Sequence, residues 1–443
     1  MGDLGLKKGI QKSNELYKRA LEIIPAGTQT FSRAPGVFPD GAAPKYVVRA
    51  KGSHVWDVDG NEYIDMVLGC GPVTLGYNFK HTDDAIKKQL EDGFLFSMMH
   101  PLEIEVAEKL IDCIPCAEMI RFSKNGSDVC ATAVRLARYI TNREMILCYG
   151  YHGFQDWYIG TTDRSFGIPE CVKALTKPFN YNDISGLKKL FETYPGKIAA
   201  VIMEPVIAEK PKGDYLNEVK QLVHDNGALL IFDEMISGFR FSMGGAQEYF
   251  NVIPDLATFG KGITNGMPLG VLVGKREYMK HLDKVFLSST YAPEALTLAA
   301  ASANIDFYKE NNVIEKLWEK GRYLEKNLQA VIDKHDIKKH VSLAGYPVRL
   351  MVNTHDEKGV QNYKLASLYQ QEMFKEGILC FAGVLMLSYS HSQEDLAVFV
   401  KAFDKACSVI KAAVESNNID KFLTCKVGAP VFKGLRERNA VSN

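Results

Sequence analysis

No stretch of the chain approaches the ~20 consecutive apolar residues that a membrane-spanning helix requires, although apolar residues make up 46 % of the sequence. Net charge is also missing: 53 Lys and Arg balance 53 Asp and Glu. An even balance gives no general attraction to nucleic acid or an anionic membrane, though it leaves room for a local basic pocket. Cysteines do not pair off. There are nine, an odd number, mostly within apolar segments, as expected for reduced thiols in a cytoplasmic protein. Cys113 and Cys116 have CxxC spacing, but no second pair follows, so they are read as core thiols and no metal site is expected. The first residues lack an apolar run of signal-peptide length. Gly2 invites acylation, but Leu6 stands where that motif needs Ser or Thr. Neither an internal repeat nor a low-complexity segment is present.

What is present is a chain of 443 residues, too long for one simple core, with two or three lobes as the expectation. Residues 13–24 have helical apolar spacing, with Ser13 as the expected cap. A loop rich in Gly, Pro, Ser and Thr follows and carries Arg33, which comes after the hydroxyl residues Thr28, Thr30 and Ser32 and can hold an anion. Alternating runs around Asp59-Gly60 predict a hairpin. Helices are expected to start near Thr82 and His100. From Met119 short apolar strands alternate with helices: MIRFS, MILCY, IAAVIM, ALLIF, LATF and GVLVG. That rhythm predicts an α/β sheet covered on both faces. One helix in this region carries an apolar stripe at Val129, Ala133, Leu136, Ala137 and Ile140. After about Thr297 the pattern becomes more helical and less apolar, which predicts a smaller α+β lobe. The expected divisions are an N-terminal segment 1–75 that packs with the small domain, a large domain 76–315 and a C-terminal small domain 316–443.

Candidate functional residues fall at the strand ends. Asn125-Gly126-Ser127-Asp128 opens a helix, where free N–H groups and a side-chain-free position can receive a phosphate. The plainer reading is an ordinary N-cap at Ser127 or Asp128. Tyr151 and His152 follow MILCY on a Gly-flanked loop at a strand's carboxyl end, a common ligand position in α/β proteins, where either can stack on a flat ring. Glu204 ends IAAVIM and can orient other site residues. Asp233 ends the run Leu229–Phe232 in a buried direction, so its charge needs a partner. Lys261, between Gly260 and Gly262, ends LATF, and Thr290 precedes a long helix. An acid and a lysine, each at the end of a buried-type strand, suit pyridoxal phosphate (PLP): the amine takes the aldehyde, and the acid keeps the ring nitrogen protonated.

WDVDGNEYIDM, NGSDVCATAVRLAR, YHGFQD, VIMEP, LLIFDEMISGFR, PDLATFGKGITNGMPLG and SSTY together resemble class III PLP-dependent aminotransferases of fold type I, nearest the glutamate-1-semialdehyde aminomutase branch. The resemblance covers nearly the whole chain. It implies a large domain with a mostly parallel mixed sheet covered by helices, plus a smaller α+β domain built from the N- and C-terminal parts. It also implies a homodimer with shared active sites. Lys261 would be the Schiff-base lysine and the base that moves a proton. Asp233 would pair with the ring nitrogen, and Gly126 and Ser127 would bind the phosphate, with Thr290 reaching it from the neighbouring subunit. Tyr151 would stack on the ring with His152 beside it, Glu204 would belong to the cofactor site, and Met235 would lie against the other ring face. Arg33 matches a position that holds a substrate carboxylate.

The implied function is transfer of an amino group from a donor, with glutamate expected, to a small aldehyde or ketone such as a keto-sugar or an anionic oxo compound. The alternatives are an aminomutase and a PLP-fold protein without catalysis. Aminomutases of this branch have a longer loop with a glutamate where this chain has Gly383, Val384 and Leu385.

Overall fold

The computed structural model describes Leu4, Gly5, residues 8–381 and residues 383–432. Gly2, Leu6 and the end of the C-terminal tail lie outside the described residues. By internal contact the chain forms two compact units, Met1–Phe79 with Glu315–Val431 and Lys80–Ile314 with Phe432–Asn443.

The first unit contains β1 (Val47–Lys51), β2 (His54–Asp57) and β3 (Glu62–Asp65) as an antiparallel run. Asp59 and Gly60 form the turn between β2 and β3, and Gly60 has the positive φ (86°) that such a turn requires. The helix expected at 13–24 runs over Gln11–Ile23. Ser13 lies inside it and does not cap it. The exposed first turn is held instead by Asp59, whose two carboxylate oxygens accept the Lys12 and Ser13 amides at 2.7 and 3.0 Å. A longer-range acid has taken the role that a local hydroxyl was expected to play.

The second unit carries β4 (Met119–Ser123), β5 (Met145–Tyr149), β6 (Thr176–Pro178), β7 (Ile198–Met203), β8 (Leu229–Asp233), β9 (Leu256–Gly260) and β10 (Gly270–Gly274). They form one seven-stranded sheet in the order β4-β10-β9-β8-β7-β5-β6. Strand β10 runs antiparallel to both β4 and β9, and the other pairings are parallel. The fold is therefore the α/β type I arrangement with a mostly parallel mixed sheet. Strands β5, β7, β8, β9 and β10 are buried at every position, which is why they read as unbroken apolar runs and not as alternating ones. The helix Gly126–Thr141 buries Val129, Ala133, Leu136 and Ala137 in the same core as Ile146, Ala200 and Ile231, and Ile140 packs against its edge. Strand β6 and the helix Ile184–Thr193 were not foreseen.

Back in the first unit, β11 (Val341–Tyr346) and β12 (Arg349–Thr354) form a hairpin. Strand β13 (Ile378–Leu379) pairs parallel with β3, which ties the N- and C-terminal parts of that unit together. Helices Tyr363–Lys375 and Gln393–Glu415 pack on this framework. Among the described residues no helix is long and apolar enough to cross a membrane.

Candidate active site

Strands β4, β5, β7, β8 and β9 end on one edge of the large sheet, and each delivers a residue there. Asp233 terminates β8 and is 2 % exposed. Its Oδ2 lies 2.8 Å from His152 Nδ1. The other ring nitrogen, Nε2, lies 3.0 Å from the Tyr149 carbonyl oxygen. Each ring nitrogen of His152 thus faces an oxygen, the Asp233 carboxylate on one side and the Tyr149 carbonyl on the other. The Met235 amide and the Thr258 hydroxyl donate to Oδ1 at 3.1 and 3.3 Å, and the Cys130 thiol donates to Oδ2 at 3.4 Å. Burial pushes the Asp233 carboxyl up. The bond and charge of His152, the Met235 amide and the charge of Lys261 more than offset this and hold it below the usual carboxylate range. Asp233 therefore stays anionic inside the protein.

Cys130, His152 and Asp233 bring possible metal-ligand atoms within 4.8 Å of one another. However, burial and the Asp233 charge push the Cys130 thiol well up. The sulfur keeps its proton and serves as a donor to the acid, not as a thiolate ligand.

His152 is 1 % exposed and lies beneath the loop, with Trp157 stacked at 6.1 Å and Tyr158 edge-on at 5.3 Å. The expectation that either Tyr151 or His152 could stack on a ring narrows accordingly. His152 is occupied with Asp233, and only Tyr151, 48 % exposed, is open to a ligand. Glu204, at the end of β7, accepts the Tyr151 amide at 3.0 Å and so fixes where that loop begins. Gly150 has φ 102°, and a Cβ there would meet Glu204 Oε1 at 2.8 Å. The loop is therefore open only to glycine at this point.

The helix Gly126–Thr141 is capped by Asn125, not by Ser127 or Asp128. Asn125 Oδ1 accepts the Asp128 amide, and Asp128 in turn accepts the Asn125 amide. With the cap at Asn125, two residues before Ser127, that serine is released, and its hydroxyl accepts the Phe154 amide at 3.2 Å. A Cβ on Gly126 would meet Met235 Sδ at 3.0 Å, and one on Gly153 (φ 102°) would meet Ser127 Oγ at 2.2 Å. Those two glycines keep open a cradle beside a helix N-terminus, which suits a phosphate.

Lys261 follows β9 and has φ 40°, a left-handed conformation seldom adopted outside glycine. Such strain is characteristic of functional positions. Before it, a Cβ on Gly260 would meet the Leu269 carbonyl at 2.5 Å and Met235 Sδ at 2.9 Å. Met235 is thus wedged between the cradle and the lysine turn. Thr290 lies elsewhere in this unit, exposed, lining a hollow with Phe94–His100. Arg33 belongs to the other unit, where it is exposed in the turn Phe31–Arg33 at the edge of a hollow beside the helix Gln11–Ile23.

Sequence reasoning missed three members of the cluster. Cys130 sits in the helix's apolar stripe and reads as core. Thr258 reaches Asp233 only through the pairing of β8 with β9, in which the two residues are partners. Glu234, 0 % exposed, accepts the Ser237 hydroxyl and the Ala246 and Gln247 amides, the latter two at 2.8 and 2.9 Å, and anchors the turn after Asp233. Burial raises its carboxyl to about 7.

The sequence pattern of the class III aminotransferases matches residues 39–407. The 3-aminobutyryl-CoA aminotransferase of Cloacimonas acidaminovorans is 35 % identical over 91 % of this chain and 99 % of its own. The glutamate-1-semialdehyde 2,1-aminomutase of Methanosphaera stadtmanae is 34 % identical over 94 % and 97 %. The FumI protein of Sphingopyxis sp. MTA144, solved as its PLP internal aldimine form, superposes with a TM-score of 0.85 at 25 % identity, over 93 % of this chain and 99 % of that one. The chain belongs to the class III aminotransferases, in the glutamate-1-semialdehyde aminomutase-like branch, and is a PLP-dependent enzyme.

Proposed function

We propose that this class III aminotransferase is a transaminase that takes the amino group of glutamate and delivers it to a small aldehyde or ketone, a keto-sugar or an anionic oxo compound. Bound PLP supplies an aldehyde for amine capture and a ring that accepts electrons. In this reading the Lys261 amine holds the cofactor and then moves the substrate's Cα proton. Asp233, kept anionic by His152, holds a proton on the ring nitrogen. Gly126 and Ser127 receive the phosphate, Tyr151 and Met235 cover the ring faces, and Glu204 fixes the Tyr151 loop. Arg33 binds a substrate carboxylate.

The observation that carries transamination over isomerisation is the segment Gly383–Leu385. Gly383 accepts the Val352 amide at 2.9 Å, and Leu385 donates to the Leu350 carbonyl at 2.8 Å. Leu385 is buried at 1 % exposure. The segment is stitched onto β12 as apolar backbone, with no acid where an aminomutase of this branch places one. The aminomutase reading draws its support from relatives such as the Methanosphaera enzyme.

The protein acts as a homodimer in this proposal, with Thr290 serving the neighbouring site. In support, Phe94, Leu95, Phe96, Met98, Met99 and Tyr291 are all exposed around the hollow that Thr290 lines or beside it, an apolar patch of the kind subunit contacts cover.

Mixing PLP-loaded enzyme with ¹⁵N-glutamate alone tests the reaction type. Transamination predicts 2-oxoglutarate equivalent to the number of sites, with the label retained on the cofactor. Absence of 2-oxoglutarate, together with turnover of a single amino-aldehyde without a second substrate, would establish the isomerase.

A further inference from the structure

At the opposite edge of the large sheet, where β5 and β7 begin, lies a depression of about 1110 Å³. Its walls carry Arg135, Arg138, Arg143, Lys177, Lys197 and Lys284, and Glu144 is the one acid among them. In a chain of zero net charge this is a local segregation of six cations. Among the described residues none of the six forms an ion pair. Arg135 donates to the Phe286 carbonyl at 2.7 Å, Arg138 to the Glu144 carbonyl at 2.8 Å, and Arg143 to the Ile198 and Asn226 carbonyls at 3.0 and 2.7 Å.

A plain structural role covers part of this. Arg138 lies in the last turn of the helix Gly126–Thr141 and complements its negative end, and Arg143 ties together two backbone segments. Neither role explains why Lys177, Lys197 and Lys284 converge on the same depression from three other segments. Six cations against the single counter-charge of Glu144 repel one another, and an anion that enters relieves the repulsion. The guanidiniums are also partly fixed by their carbonyl bonds, so ordering them around phosphate oxygens loses little entropy. The depression is far larger than one phosphate needs. Two exposed aromatics line it, Tyr139 at 45 %, whose ring also packs tilted on His281 at 5.5 Å, and Phe286 at 76 %, and an exposed aromatic face can stack on a flat ring.

We propose that this depression is a second, non-catalytic binding site for a nucleoside polyphosphate, with the cations holding the phosphate chain and Phe286 or Tyr139 stacking on the base. It is built entirely from residues of the large unit and shares none with the Asp233 cluster.

The test uses PLP-loaded enzyme, so that the cofactor's own phosphate site is filled, with calorimetric titration of ADP and, separately, pyrophosphate. The expected result is saturable ADP binding that weakens with salt and falls at least tenfold in K197E/K284E. Both lysine side chains are exposed and make no hydrogen bond among the described residues, their bonds being those of the backbone alone, so the double variant keeps its fold, which circular dichroism checks. F286A is expected to weaken ADP binding and leave pyrophosphate binding unchanged. The proposal is overturned if ADP shows no saturable binding, if K197E/K284E binds it as well as the parent, or if pyrophosphate binds as tightly as ADP.

Discussion

His152 Nδ1 lies 2.8 Å from Asp233 Oδ2 with both side chains out of solvent. The pair explains how an acid at a buried strand end keeps its charge. Removing the ring would take away the largest of the groups that compensate that charge and leave the Met235 amide and the Lys261 charge, and breaking a buried pair from one side costs about 3–5 kcal/mol. His152→Ala is therefore expected to lose stability on that scale. It should also narrow activity at the acid side, because the Asp233 carboxyl then titrates higher. Urea unfolding and a kcat–pH profile check the two effects, and a variant with parental stability would remove His152 from this role.

Asp233→Asn keeps the shape and removes the charge. A protonated ring nitrogen would then lack its counter-ion, and kcat is expected to fall by about 10²–10³, the usual scale for loss of one well-placed electrostatic contact. Steady-state kinetics at saturating PLP separate this from loss of cofactor.

Glu234 gives a pH prediction of opposite sense to that of Asp233. Its carboxyl is raised from 4.5 to about 7 in the folded protein, so the folded state holds the proton more tightly than the unfolded chain. The associated stability is complete below about pH 4.5 and is lost as pH rises towards 7. Glu234→Gln has no such titration. The melting temperature of the parent relative to the variant should drop steadily between those limits, and a constant difference would contradict the assignment.

Gly153→Ala would place a Cβ 2.2 Å from Ser127 Oγ at φ 102°. The expected loss of stability is about 1–3 kcal/mol, accompanied by weaker PLP binding, because Ser127 must move. Equilibrium dialysis of PLP against parent and variant reads the second effect.

The strands, the sheet class and the sequence positions of Asp233 and Lys261 were legible because fully buried parallel strands are written as unbroken apolar runs ending in polar residues. Details that depend on spatial pairing were not. Asn125 precedes Gly126, and nothing local distinguishes it from Ser127 or Asp128 as the cap until the reciprocal bonds with Asp128 form. Strand β6 is three residues long and contains a proline, too little for a periodic signal and tolerable only because it is an edge. Cys130 follows the helical apolar period, so its bond to Asp233 is invisible until the helix is laid on the sheet. Ser13 lost its expected capping role to Asp59, 46 residues away.

We propose that Lys261, on its strained turn, is the residue that carries PLP. Borohydride reduction of the PLP-loaded enzyme, followed by proteolysis and mass spectrometry, tests it directly. One phosphopyridoxyl group per chain is expected, on the peptide that contains Lys261. A modification on any other lysine, or a reduced enzyme with no attached cofactor, would contradict it.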